Sequence, residues 1–169
     1  MPAGYRVTSN KGDVMTELNI GETAPSFDLP LDGGGSLRLA ELHGKFVVLY
    51  FYPKDDTEAC TAEAIDFSTL NAEFHAAGAV VIGLSPDSGK KHDKFKAKHG
   101  LTIPLVADEE RKAIEAYGVW VEKSMYGRKY MGVERTTFLI DRDGRIAHIW
   151  RQVKVRDHAQ QVLDTLKSL

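Results

Sequence analysis

One cysteine, Cys60, is present in 169 residues. A single thiol excludes an internal disulfide and a cysteine-rich zinc site, so any disulfide must be shared with another molecule. Long apolar stretches are also missing. The longest, Phe46-Val-Val-Leu-Tyr-Phe-Tyr52, falls far short of the ~20 residues that span a bilayer. Neither sign of charge dominates: 22 basic against 24 acidic side chains leave a formal net charge of −2. That balance argues against broad electrostatic binding to nucleic acid and against a polybasic membrane clamp. The histidines, His43, His75, His92, His99, His148 and His158, show neither an H-E-x-x-H motif nor a paired metal spacing, so no metal is expected.

What remains is an ordinary globular composition, 43% hydrophobic and 27% charged, in a chain long enough for one domain with a core. Residues 1–18 mix small, polar and charged side chains with no apolar leader core, and read as a flexible N-terminal extension. The domain is expected over 19–169, in the cytoplasm, where a lone thiol stays reduced. No internal repeat stands out.

Beyond residue 19 the pattern alternates between strands and helices. Short strands near 27–29 and 37–39 flank Asp32-Gly-Gly-Gly35, a turn signal with no phosphate-binding Gly-Lys-Ser/Thr after it. The Val- and aromatic-rich run 45–51 suits a strand buried on both faces, as does 79–84. Helices are expected over 60–77, 88–98, 109–117 and 157–166, and a further strand over 103–106. A long loop is expected through Tyr130, with Trp120 and Tyr126 on it. Strands 136–140 and 146–150 are joined by Asp141-Arg-Asp-Gly144, a tight hairpin signal. The basic run Lys90-Lys-His-Asp-Lys-Phe-Lys-Ala-Lys-His99 reads as a solvated helix face. This order predicts an α/β fold with a central mixed sheet flanked by helices.

Chemistry concentrates around the cysteine, in Phe51-Tyr-Pro-Lys-Asp-Asp-Thr-Glu-Ala-Cys60-Thr-Ala-Glu63. The segment leaves a buried strand, breaks at Pro53, and places Cys60 in the first turn of a helix. Unpaired N–H groups at a helix start favour a thiolate, the reactive form. Magnitudes show that this is not enough. A shift of ~3 units requires about 4 kcal/mol, whereas a helix terminus contributes ~0.3–1 and at best about 2 kcal/mol. A cation is needed. At ~100° per residue, Cys60, Glu63, Phe67, Leu70 and Phe74 share one inward face, so Cys60 sits at the mouth of the core.

Pro53-x-x-x-Thr57-x-x-Cys60 resembles the active-site loop of the peroxiredoxins. Gly118-Val-Trp-Val-Glu-Lys-Ser-Met-Tyr-Gly-Arg-Lys-Tyr-Met-Gly-Val-Glu-Arg135-Thr-Thr-Phe-Leu-Ile-Asp141 resembles the bacterioferritin comigratory protein, or peroxiredoxin Q, branch. Gly21-Glu-Thr-Ala-Pro25 extends the likeness to the domain start. The resemblance implies a thioredoxin-like fold and a thiol-dependent peroxidase acting on hydrogen peroxide and organic hydroperoxides. It implies Cys60 as peroxidatic nucleophile, Thr57 as a hydroxyl bonding thiolate and peroxide, Arg135 as the missing cation, and Pro53 as a shield against water. The N–H groups of Ala59 and Cys60 would bind the peroxide. Glu63, one turn on, would orient Arg135 through a charge-assisted pair.

Two departures matter. Relatives often have Thr-Pro-Gly-Cys, whereas this chain reads Thr57-Glu-Ala-Cys60, and Glu58 brings a negative charge close to the thiol. A second, resolving cysteine often follows five residues after the first; Ile65 stands there. A one-cysteine enzyme is therefore expected, resolved by an external thiol such as thioredoxin or glutaredoxin with glutathione. It would use no cofactor, bind neither nucleic acid nor membrane, and exist as a monomer or weak homodimer. The alternative is a redox sensor or relay that passes mixed disulfides to partner proteins.

Overall fold

The structure, a computed structural model, describes residues 17–169; the expected extension lies outside the described residues up to position 16. Its last residue, Leu18, is packed in the core, and its carbonyl accepts a 2.9 Å hydrogen bond from Arg151.

Two hydrophobic runs form the centre, β3 (Phe46–Phe51) and β4 (Ala79–Ser85), paired in parallel. Their β-branched and aromatic side chains are buried on both faces, as a strand covered from each side requires. Around them the sheet runs β5-β4-β3-β8-β9, with β5 at Leu105–Ala107, β8 at Thr136–Ile140 and β9 at Ile146–Trp150. β5 is parallel to β4; β8 is antiparallel to β3, and β9 to β8. The fold is α/β with a mixed sheet, as the alternation of elements predicts.

Alternation along β3 separates two cores. Val48, Tyr50 and Tyr52 face α1 (Glu58–Thr69), α2 (Asn71–Ala76), α3 (Gly89–His99) and α5 (His158–Lys167) through Phe67, Phe74, Phe95 and Leu163. Val47, Leu49 and Phe51 face the short ribbon β1 (Asp28–Pro30) and β2 (Ser36–Arg38), and α4 (Lys112–Ala116).

Four sequence expectations need correction. The helix expected over 60–77 is two helices broken at Leu70. The Thr69 hydroxyl donates to the Ile65 carbonyl at 2.9 Å, the back-bonding that bends helices. The helix expected from 109 begins only at Lys112, because the Asp108 carboxylate accepts from the Lys112 and Ile114 N–H groups at 2.8 and 2.9 Å. The expected loop through Tyr130 is an antiparallel ribbon, β6 (Trp120–Met125) and β7 (Arg128–Val133). Its tip, Tyr126-Gly127, has φ of 52° and 76°, the doubly positive turn that matches strand twist. Most of its side chains face solvent, so no apolar alternation marks it. The basic run on α3 is solvated only in part, since His92 and Phe95 are buried.

Candidate active site

β3 ends at Phe51, and residues 53–57 turn the chain into α1. Asp56 takes a left-handed φ of 60° on the way. Thr57 occupies the position before the helix, but its hydroxyl donates to the Lys54 carbonyl at 2.9 Å and does not cap the helix. The first in-helix backbone bond runs from Thr61 N–H to the Thr57 carbonyl. The N–H groups of Glu58, Ala59 and Cys60 therefore have no acceptor within the helix and point out of its positive end. Cys60, the third residue of α1, is 1% exposed.

Sheet register brings the cation. Phe51 pairs with Thr136, so the start of β8 lies beside the end of β3, where α1 begins. Arg135 stands just before β8. Its Nη2 donates to Cys60 Sγ at 3.3 Å and its Nη1 to Glu63 Oε1 at 2.7 Å. The residue after the ribbon thus reaches one face of α1 through a forked guanidinium, a geometry that lysine cannot reproduce. No hydrogen bond joins Thr57 to Cys60 among the described residues, although only Glu58 and Ala59 separate them; Thr57 is exposed and Cys60 buried. Pro53 is partly buried at the loop start, Glu58 is exposed, and Ile65 is 40% exposed on the opposite side of α1.

Glu63 is 1% exposed, and its Oε2 has no hydrogen-bond partner among the described residues. Burial raises its carboxyl pKa more than Arg135 lowers it, and the balance stands at about 7. Arg135 is itself disfavoured by burial, yet the charges of Glu63 and Cys60 hold it cationic, with its pKa above the usual value. His158, bonded to Thr137 at 2.8 Å, is neutral: burial and then Arg135 push it down to about 4.

These shifts act in opposite directions with pH. A carboxyl raised from 4.5 to about 7 binds its proton better in the folded chain. Its stabilising effect is therefore complete at low pH and is lost as pH rises through that window. A lowered histidine contributes stability above its unfolded value that is lost as pH falls from 6.5 towards about 4. Glu63→Gln keeps an acceptor for Arg135 but removes the proton uptake. Relative to this variant, the native chain is expected to gain about 3 kcal/mol as pH falls from 8 to about 4.5. Urea titrations across that pH range measure this; parallel curves for the two proteins would contradict it.

Sequence reasoning missed two residues here. Lys123, on β6, shares with Arg135, Glu134, Gln152 and Val153 a cavity of about 400 Å³. Gly132 permits this, because a Cβ there would lie 3.3 Å from the Lys123 stem. Burial, and then Arg135, lower the Lys123 pKa. Tyr50 lies wholly buried beneath the site, its hydroxyl without a partner among the described residues. No cluster of His, Cys, Asp or Glu able to hold a metal occurs among the described residues.

A family model described as the AhpC/TSA family matches residues 20–149. Peroxiredoxin Bcp of Bacillus subtilis is 49% identical over 152 residues, covering 90% of this chain and 97% of its own. A serine-for-cysteine mutant of Xylella fastidiosa PrxQ superposes with a TM-score of 0.85 at 43% identity, covering 89% of this chain and 96% of that one. A Xanthomonas campestris bacterioferritin comigratory protein, solved in trapped intermediate and ligand complexes bearing on alkyl peroxide reduction, gives a TM-score of 0.81 at 45% identity. That likeness covers 84% of this chain and 90% of the other.

Proposed function

The chain belongs to the AhpC/TSA family, as a peroxiredoxin of the Bcp and peroxiredoxin Q branch, and from that premise we propose that Cys60 is its peroxidatic residue. The protein is a thiol-dependent peroxidase. The Cys60 thiolate attacks the terminal oxygen of a hydroperoxide; an S–O bond forms and the O–O bond breaks. The sulfur is oxidised by two electrons to sulfenic acid, and the departing alkoxide or hydroxide takes a proton to become alcohol or water. The observation that carries the assignment is the Arg135 guanidinium 3.3 Å from Cys60 Sγ, at a helix start whose first N–H groups have no acceptor within the helix. Thiolate and leaving oxygen both hold negative charge that those donors stabilise. Glu63 fixes the fork from its other side, Pro53 limits water at the loop, and the Thr57 hydroxyl must leave the Lys54 carbonyl to serve thiolate and peroxide.

Resolution falls to another molecule. With Cys60 the sole cysteine, a thiol displaces water from the sulfenic acid to give a mixed disulfide. A second thiol then releases Cys60 and leaves with the first as a disulfide. Thioredoxin, or glutaredoxin with glutathione, meets that need in a cytoplasm that keeps them reduced, acting on a monomer or weak homodimer. No helix among the described residues is long and apolar enough to cross a membrane.

Peroxide without a thiol donor is expected to consume one equivalent and stop, with mass spectrometry showing one added oxygen on Cys60 and a second at excess peroxide. Adding a thiol donor before that excess should restore turnover. A folded protein that no thiol donor returns to the reduced state would sink the peroxidase reading.

A further inference from the structure

The densest set of buried polar contacts outside the Cys60–Arg135–Glu63 cluster lies between α3 and the loop before α1. His92 is wholly buried. Its Nδ1 lies 2.6 Å from Asp55 Oδ2 and its Nε2 2.9 Å from the Val106 carbonyl oxygen. Both neighbours are acceptors, and a neutral imidazole carries a single N–H. Satisfying both contacts takes two ring protons, and the short distance to Asp55 is that of a charge-assisted bond. The Tyr52 hydroxyl donates to the other Asp55 oxygen at 2.6 Å. The Asp55 N–H donates to Asp87 Oδ2 at 2.8 Å, which also accepts from the Ser85 hydroxyl.

The next loop residue is held from outside. Asp56, in its left-handed conformation, accepts from His99 Nε2 at 2.9 Å and from Lys98 Nζ at 2.8 Å. α3 therefore grips two consecutive residues, from beneath and from above, just before the turn into α1.

We propose that His92 is a buried imidazolium and a positioning residue for Cys60, holding through Asp55 the loop that sets where α1 begins. The proposal rests on Cys60 as the peroxide-reactive residue. Around the ring stand Asp55 from the loop, Tyr52 just after β3 and the Val106 carbonyl of β5, with the charge of Asp87, just before α3, acting on it and Lys91 paired to Asp87 at 3.9 Å. Burial disfavours the charged ring, but Asp55 holds its pKa above the ordinary histidine value.

Two opposed consequences follow. The grip keeps Cys60 Sγ on Arg135, which serves the peroxide step. It also keeps the sulfur buried, out of reach of a thiol on another molecule. Loosening the grip lowers the population competent for the first step and raises the one competent for the second.

The test uses the full chain. Nitrogen-15 NMR near about pH 8, where an unpaired histidine is neutral, should show both His92 ring nitrogens protonated. His92→Gln should slow Cys60 oxidation by hydrogen peroxide about tenfold, and speed reduction of its sulfenic acid by dithiothreitol about tenfold. Lys98→Met, an exposed change that spares the buried pair, should move both rates the same ways by about two- to threefold, and it decides the matter if His92→Gln does not fold. A singly protonated His92, or rates that stay put or fall together in a folded variant, would overturn the proposal. If the native chain itself reacts with peroxide no faster than a free thiol, the peroxidatic assignment fails while the NMR result still stands or falls alone.

Discussion

Arg135→Ala is expected to slow the reaction of Cys60 with hydrogen peroxide by about 10²–10³-fold, the usual cost of losing one preorganised donor to a developing anion. The loss has two parts. Nη2 is removed from 3.3 Å beside the sulfur, and Glu63 loses its 2.7 Å partner in a site where it is 1% exposed. An isolated carboxylate there is unfavourable, so Glu63 is expected to take up a proton. Arg135→Lys should fall between the two: it restores the charge, but one ammonium cannot serve sulfur and carboxylate in the same fork. Stopped-flow measurement of thiol loss against one equivalent of peroxide distinguishes the three proteins. Equal rates for native and Arg135→Ala would mean that the helix start alone activates the thiol, and the sensor reading of Cys60 would gain ground.

Phe67→Ala should give the largest loss of stability. The side chain is wholly buried on α1, one turn beyond Glu63, with its ring 4.7 Å from that of Tyr50 and 5.9 Å from that of Phe74. Truncation of a buried Phe costs about 3–5 kcal/mol, a large part of the ~5–15 kcal/mol that holds a domain folded. Phe67→Leu, which keeps most of the volume, should cost less than about 1.5 kcal/mol. Urea unfolding should show the midpoint falling in that order with an unchanged slope. A Phe67→Ala midpoint within error of the native value would mean that α1 is not anchored through this ring.

The central strands were legible because burial on both faces leaves near-continuous apolar runs, as in β3 and β4, and because the hairpin between β8 and β9 carries its own turn signal. The β6–β7 ribbon was not. Its side chains face solvent, its partner strand is its own neighbour, and only Tyr126-Gly127 marks the reversal. The break at Leu70 was equally hidden, since leucine favours a helix and the hydroxyl back-bonding of Thr69 has no periodic signature. For the site, helical spacing placed Cys60, Glu63 and Phe67 on one inward face of α1. The approach of Arg135 depends on which strand lies beside β3, and local patterns do not encode that pairing; the family resemblance supplied it. His92 was hidden for a related reason. Flanking lysines gave its helix the look of a solvated face, while the acceptors that bury it come from the loop and from β5.

Arg135 follows Cys60 by 75 positions. During synthesis at about 5–20 residues per second, the cysteine is made some 4–15 seconds before its guanidinium partner. Even then the pair meets only once β8 has docked against β3, a long-range closure that comes late in folding. An unfinished chain on the ribosome therefore carries an ordinary thiol, and peroxide reactivity arrives with completion of the sheet.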